Sequence, residues 1–524
     1  MRREQLIERL ESSGNWDICI IGGGATGLGA AVDAASRGFK TILLEKFDYA
    51  KGTSSRSTKL VHGGVRYLQQ GNIKLVREAL KERGILTRNA GHLVKNQSFI
   101  VPNYKWWEGP FYGIGLKVYD WMSGSLGLGP SKLLSKEEVL RLTPTLDEEG
   151  LRGGVIYQDG QFDDARLAIN LAQTAHEQGA LMLNYSEVTS FSKTEGSISS
   201  ITAKDHLSGK EYKVIAKAVI NATGVFSDAV QQLDDINKPA SITPSQGIHI
   251  VLDKSFLPGD TAIMVPHTDD GRVLFAVPWH NRIIVGTTDT FVDKILNEPE
   301  AEMQELDFLI KHVSRYLTKD PTLSDVKSIF AGLRPLVKSS AKKTAEISRD
   351  HLILVSPSGL ISIVGGKWTT YRKMAEDVID MAIRHNSLES KQCVTETLKI
   401  HGHVDAADYN DPEYYYGSDK EALQKIYSGT EGSGQAIHPT LTYTKAHVIH
   451  AVHAEFCMTV EDFLSRRTRA LLLDAQAATE ACEVVAETMR EELGESDEWR
   501  QRQVKAFHEI ASTYLPKFYS NKIP

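Results

Sequence analysis

Three stretches of the chain combine glycine, hydroxyl and cationic residues in orders that suit phosphate and ring chemistry. The first is Gly22-x-Gly24-x-x-Gly27, which follows the apolar run Asp17-Ile18-Cys19-Ile20-Ile21 and opens a small-residue helix. The first glycine permits a tight turn, the second lets backbone approach a pyrophosphate, and the third lets helix and strand pack closely. Unpaired N–H groups at the helix N-terminus complete an anion site. Glu45 closes the next strand, Thr41-Ile42-Leu43-Leu44, where an acid accepts hydrogen bonds from a ribose. This fingerprint leaves FAD and NAD open. The second stretch, from Gly52 to Tyr67, is a polar loop entering a helix. Its hydroxyls and N–H groups suit phosphate and ring-edge contacts, and its plain alternative is a solvated connection. The third is Gly365-Gly366-Lys367-Trp368-Thr369-Thr370-Tyr371-Arg372, a strand–turn–helix. Its double glycine admits close backbone approach, and the helix N-terminus faces a developing negative charge. Thr369 and Thr370 read as caps, so a capped structural helix is the alternative here.

These stretches need a scaffold. Residues 16–46 form a βαβ unit, with Gly38 ending its helix. Further buried strands are Ala218-Val219-Ile220, before Asn221-Ala222-Thr223-Gly224, and residues 360–364. Alternating strands at 248–252, 273–277 and 282–286 suggest an antiparallel sheet of another layer. Beyond about residue 390 the period becomes helical, at 420–428, 444–456, 460–474 and 476–494. The expected division is a discontinuous cofactor domain (16–90, 150–240, 330–388), a substrate domain (91–149, 241–329) and a helical C-terminal domain (389–524).

The 524 residues suffice for a large core. A net charge of −7 argues against a dedicated nucleic-acid binder. Composition excludes disorder and collagen. The four cysteines lack CxxC spacing, which excludes a disulfide scaffold and a redox-active pair. No apolar run is long enough to span a bilayer; residues 111–128 are interrupted by Lys117 and Asp120. The charged N-terminus lacks the apolar core of a signal peptide. The expectation is a cytoplasmic protein, soluble or peripheral on the cytoplasmic face of the membrane.

The chain resembles the FAD-dependent glycerol-3-phosphate dehydrogenases, the respiratory kind that reduces quinone. The resemblance rests on IIGGGATGLGAAVDAASRG, TSSRSTKLVHGGVRYL, DGQFDDARL, NATG, GTTD, AGLRPL and GGKWTTYRK, and on the helical tail from HPTLTYTKAHVIH onward. It implies an α/β fold with a Rossmann-type FAD domain of the glucose/amine-oxidase-like flavoproteins, an antiparallel-sheet substrate domain and a helical cap. It implies oxidation of glycerol 3-phosphate to dihydroxyacetone phosphate, with hydride taken by flavin N5. No second strand–GxGxxG–helix unit is visible, in keeping with a quinone acceptor.

The resemblance also implies the site. FAD contacts fall on Ile21, Gly22, Gly23, Gly24, Ala25, Thr26, Gly27, Glu45 and Lys46, then on Thr53, Ser54, Ser57, Lys59, Leu60, His62 and Gly63. Val188, Ala222, Thr223, Gly224, Gly332, Gly366, Lys367, Thr369 and Thr370 complete them. Arg66, Tyr67, Thr288, Arg334 and Lys367 line the substrate pocket. The cations suit a phosphate dianion, with Arg66 and Arg334 on the substrate and Lys367 between substrate and the flavin's pyrimidine edge. His62 is the base, because an imidazole suits proton transfer near neutral pH. Its alternative is a histidine packed on the flavin.

Other features read more plainly. His447, His450 and His453 lie three apart on a helix without evident carboxylate support for a metal. His401-Gly402-His403 reads as a solvated turn, and Asp163-Asp164 as a helix start. Residues 104–121 hold Tyr104, Trp106, Trp107, Phe111, Tyr112, Tyr119 and Trp121, with Lys105 and Lys117. They fit a membrane surface or an internal aromatic patch. A homodimer is compatible with all of this. Rival functions are an oxidase reducing O2, an amine or amino-acid oxidase on the same scaffold, and a non-catalytic flavin sensor.

Overall fold

The computed structural model describes residues 3–64, 72–338 and 351–516, Ser125 without its side chain. Strands rich in Ile, Val and Leu are buried on both faces and pair in parallel, as such runs do between helical layers. Their sheet has six strands in the order His351–Val355, Leu360–Gly365, Ala216–Asn221, Trp16–Ile21, Thr41–Leu44, Leu181–Leu183, the first an antiparallel edge. Trp16–Ile21 is central, with Ile20 beside Ile220 and Leu43. Helix Ala25–Ser36 packs on helix Tyr371–His385 at Gly29, where a Cβ would meet the Tyr371 ring at 2.8 Å.

A second, larger sheet runs Thr290–Phe291, Ile242–Asp253, Arg282–Gly286, Leu274–Trp279, Ala262–Val265, Val94–Asn103, Gly153–Phe162, Leu60–Val61. Ser328–Val337 also pairs with Ile242–Asp253, and Lys132–Leu134 with Gly153–Phe162. Three of its strands, Leu60–Val61, Gly153–Phe162 and most of Ser328–Val337, lie in segments expected to belong to the cofactor domain. Gly153–Phe162 pairs with Val94–Asn103, and Ser328–Val337 with Ile242–Asp253, each along its whole length. Those ladders, not chain position, decide sheet membership. A small sheet, Ser186–Thr194, Ser197–Asp205 and Glu211–Val214, lies apart.

The C-terminal segment is helical, as its period predicts: Lys420–Gly429, Lys445–Ala454, Ala475–Leu493 and Asp497–Ser512. The expected helix over 460–474 is broken. A turn at Val460–Asp462 passes into a π-turn at Phe463–Arg467, Thr468 is extended, and Ala470–Leu473 resumes. The break turns Arg466, Arg467 and Arg469 inward. Arg466 and Arg467 reach Asp48, and Arg469 reaches Asp163. Asp163 does cap helix Asp164–Glu177, accepting from the Arg166 N–H at 3.0 Å.

His401 corrects the expectation of a solvated turn. Its ring lies between Glu177 (2.6 Å) and Asp419 (2.8 Å) and ties the C-terminal segment to helix Asp164–Glu177. The three histidines of the 447–453 stripe diverge, toward Glu413, Glu455 and Glu492. Among the described residues no cluster of three metal-ligating side chains forms.

Burial opposes charge on His401, but Asp419 and Glu177 outweigh it and raise its pKa to about 9. A folded-state pKa above the unfolded value of about 6.5 stabilises fully below pH ~6.5, and the gain fades as pH rises through about 9. The displacement is worth at most about 3 kcal/mol. Melting of wild type and His401→Gln between pH 6 and 10 should therefore show a gap that is widest at pH 6 and closes above about pH 9.

Candidate functional site

The glycine fingerprint folds into a backbone cradle. Gly22 has φ +107°, and a Cβ on Gly27 would stand 1.9 Å from the Gly22 carbonyl oxygen. Only glycine at 27 lets the helix start this close to the strand. That helix has Gly24 as N-cap with no capping side chain and no acid in its first turn, so its field faces outward. The Ala25 N–H donates to Ser54 Oγ at 2.9 Å, which draws the second glycine-bearing loop onto the cradle.

Glu45 accepts from the Gly23 N–H (2.5 Å) and the Phe47 N–H (2.8 Å). Burial pushes its carboxyl above the usual range despite these bonds. A cavity of about 520 Å³ opens here. Its lining includes Ile21, Gly22, Gly24, Ala25, Thr26, Glu45 and Lys46. Thr53, Ser54, Val188, Ala222, Thr223, Gly224, Gly366 and Lys367 line it as well. Backbone N–H groups at a helix start, an acid at the next strand's end and elongated space suit a dinucleotide such as FAD.

A second cavity, about 350 Å³, adjoins the first at Thr53, Lys367 and Trp368, which line both. Thr53 Oγ1 donates to the Leu333 carbonyl at 2.5 Å, and Trp368 Nε1 to the Ser54 carbonyl at 2.8 Å, so the junction is cross-tied. Gly366 has φ +81°, and a Cβ there would overlap Met374. Thr370 is the N-cap of helix Tyr371–His385 without capping it; its hydroxyl donates to the Lys367 carbonyl at 3.3 Å.

The larger sheet floors the second cavity. Phe99, Tyr157, Met264 and Phe275 are its apolar lining, and Thr287, Thr288, Asp289 and Arg334 belong to its polar lining. Arg334 donates to the carbonyls of Thr288 (3.0 Å) and Gln246 (3.3 Å) and to Thr287 Oγ1 (3.1 Å), with Asp289 at 3.3 Å. Thr288 Oγ1 accepts from the Ile248 N–H and donates to Glu305, so it is a brace as well as a wall.

Among the other residues expected from the sequence, His62, Leu60, Ser57, Gly332 and Thr369 line this second cavity. Gly23, Gly27, Gly63 and Thr370 line neither. Lys59 also lines neither: its buried ammonium is fixed 2.8 Å from Asp164 and 2.6 Å from the Ser55 carbonyl. Arg66 and Tyr67 lie outside the described residues.

Sequence reading missed His249. It is buried on strand Ile242–Asp253, stacked on Phe330 at 4.7 Å, with Nε2 2.9 Å from Thr58 Oγ1. Burial, and the charges of Lys59 and Arg334, hold its pKa far below the ordinary value, so the ring is neutral. A Cβ on the facing Gly286 would overlap the imidazole. A lone polar residue in an apolar strand, opposite the Gly of GTTD, was the available clue. Arg56 and Arg272 also line this cavity; Arg56 is held by Glu298 at 2.6 Å.

Behind His62 the Gly63 N–H donates to Tyr119 Oη at 2.7 Å. Tyr119 donates to Asp159 at 2.8 Å, and Arg83 pairs with Asp159 at 2.8 Å. This buried relay pins the His62 loop. Tyr119→Phe removes the side-chain acceptor of the Gly63 N–H and should destabilise by ~1–3 kcal/mol, read by thermal melting of the holo protein.

Two family models match the chain: FAD dependent oxidoreductase over residues 17–372, and the C-terminal domain of alpha-glycerophosphate oxidase over 359–500. Mitochondrial glycerol-3-phosphate dehydrogenase of Mesocricetus auratus is 40% identical, over 98% of this chain and 75% of its own. That of Schizosaccharomyces pombe is 35% identical, over 94% and 87%. The crystal structure of the glycerol-3-phosphate dehydrogenase from Bacillus halodurans, complexed with FAD, superposes with a TM-score of 0.80 at 30% identity, covering 98% of both chains.

Proposed function

This chain belongs to the family of FAD dependent oxidoreductases, and on that premise we propose that it oxidises sn-glycerol 3-phosphate to dihydroxyacetone phosphate and delivers the electrons to a quinone. The observation that carries the reading is the meeting of the two cavities at Lys367, with Arg334 on the wall of the smaller one. When bound in the larger cavity, FAD supplies the acceptor for the hydride that leaves C2 of the substrate. Arg334 is held by four neighbours and meets the substrate without rearranging. Lys367, on the shared wall, offsets negative charge at the junction. The relatives named above, glycerol-3-phosphate dehydrogenases, support the substrate.

His62 takes the proton from the C2 hydroxyl. Its place in the smaller cavity and the relay that fixes the next residue support that role. The neutral ring of His249, bonded to Thr58, shapes the same wall. Two cations, Arg334 and Lys367, suit a phosphate dianion better than the single carboxylate of an amino-acid substrate. Anaerobic stopped flow tests the reading: glycerol 3-phosphate should bleach the flavin, and a quinone should restore colour faster than air. His62→Gln should retain FAD and slow the bleaching by about 10²- to 10⁴-fold; bleaching at the wild-type rate would dismiss His62 as the base.

The aromatic segment supports a membrane-surface location. On helix Glu108–Ser123, Tyr112, Leu116 and Tyr119 face inward onto the protein. Trp107, Phe111, Ile114, Val118 and Trp121 share the outer face, spaced as a helical stripe, and Trp106 precedes them. Trp106 and Trp121 are 78% and 82% exposed. Among the described residues no helix is long and apolar enough to cross a membrane. The stripe, flanked by Lys105 and Lys117, fits an interfacial helix lying in the headgroup layer of anionic lipid. The protein should float with anionic liposomes at low salt, and the triple change Trp106→Ala, Phe111→Ala, Trp121→Ala should leave it at the bottom of the gradient. Wild type that stays at the bottom would remove this location.

A further inference from the structure

Arg272 stands where two strands of the larger sheet turn back. Ala262–Val265 and Leu274–Trp279 pair antiparallel, and residues 266–273 join them. That turn is fixed from both sides. His267 Nε2 lies 2.8 Å from Glu108, at the start of the aromatic helix. Asp269 pairs with Lys311 and Arg315 at 2.8 Å, and its N–H donates to His312 at 2.9 Å. Thr268 Oγ1 donates to the Arg272 carbonyl at 2.8 Å.

The turn presents Arg272 to the smaller cavity, which it lines together with Val273. Its Nε is 2.9 Å from Asp270 Oδ2, and the guanidinium lies 5.9 Å from the Phe308 ring centre. Among the described residues, neither Nη group has a hydrogen-bond partner, and the side chain is 26% exposed. The guanidinium thus stands at the mouth, oriented through Nε, with its terminal donors available.

Sheet register fixes which end of the cavity this is. Phe275 pairs with Gly286, Gly286 with His249, and His249 with Phe330. Arg272 lies three residues beyond Phe275 and Arg334 four beyond Phe330. In the antiparallel ladder both displacements point the same way, toward Thr287, Thr288 and Asp289. Arg272 therefore lies toward the same end of the ladder as Arg334, just before a strand three removed from it across the sheet.

We propose that Arg272 receives the phosphate of the incoming substrate at the cavity mouth, through its two Nη groups, and sets the preference for phosphorylated over free polyols. The proposal rests on the substrate reading above. A guanidinium fork matches phosphate oxygens in pairs, and a partly exposed cation steers a dianion inward at low salt.

The test is anaerobic flavin reduction by full-length holoenzyme over a range of glycerol 3-phosphate concentrations. Arg272→Met should raise the half-saturating concentration by about 10- to 100-fold, with the limiting rate within about two-fold of wild type. Arg272→Lys should recover part of the loss, having the charge without the fork. Added salt should slow the second-order rate of wild type more than that of Arg272→Met. Reduction by free glycerol should be the same in all three. An unchanged half-saturating concentration in Arg272→Met, or a limiting rate that falls as far as the second-order rate, overturns the proposal. Wild type inert toward glycerol 3-phosphate would overturn the substrate reading and this proposal together; wild type active with an indifferent Arg272→Met overturns this proposal alone.

Discussion

Charge buried between the helical C-terminal segment and the cofactor-binding sheet is the constraint on which the molecule turns. Asp48 is fully buried and meets Arg466 at 2.6 Å and Arg467 at 2.5 Å. Burial works to raise its carboxyl, but the two guanidinia prevail and hold it at about 2. Asp163 with Arg469 (2.6 Å) and Glu455 with Arg166 (2.7 Å) repeat the pattern, each carboxyl held well below its usual range. Such pairs add little net stability, yet losing one partner strands a buried charge at about 3–5 kcal/mol. The seam therefore specifies one docking geometry rather than adding cohesion. It also explains the broken helix at 463–468, because a regular helix cannot turn three nearby arginines toward Asp48 and Asp163.

Both loops that make the site hang from this seam. Asp48 lies within the connection from Glu45 to Thr53 that walls the larger cavity. Lys51 of the same connection pairs with Glu461 at 2.6 Å. Glu298 holds Arg56 on the smaller cavity, reaches Lys51 at 3.3 Å and accepts from Tyr514 at 3.4 Å. On the other side Asp164, next to the seam residue Asp163, holds Lys59 and Ser57. The polar loop at 52–60 is thus neither solvated nor free to rearrange. Its hydroxyls and N–H groups are set before any ligand arrives, and fixed donors cost least reorganisation when charge develops.

Legibility in the sequence followed the range of the interactions. The βαβ unit and its glycines were readable because they depend on neighbours within thirty residues: a strand, a turn and a helix start. Strands 216–221 and 360–365 were readable because apolar runs reveal burial on both faces. Sheet membership was not, since the ladder between Gly153–Phe162 and Val94–Asn103 joins segments fifty residues apart. Site residues divided the same way. Thr53, Ser54 and Lys367 sit in glycine-bearing segments that announce themselves. His249 depends on the register of three strands, and His401 on two carboxylates from separate helices. Lys59 carries the opposite lesson: the ammonium of a cation in a motif-like loop is an internal tie, and only its distance from Asp164 reveals it.

The smaller cavity is asymmetric in the chemistry of its lining, and its charges are tied to neighbours. Arg83 and Asp159 neutralise one another behind the His62 loop, and Glu298 does the same for Arg56. The lining of the cavity combines the apolar Phe99, Tyr157, Met264 and Phe275 with a polar set that holds Arg334, tied to Asp289 at 3.3 Å, and Lys367. In a partly desolvated space a charge pair is several times stronger than in water, so a phosphate has one favourable side. His62 and His249 line the same cavity, as do Thr53, Lys367 and Trp368 where it adjoins the larger one. The asymmetry of that lining gives a phosphorylated ligand a preferred orientation, set before it arrives.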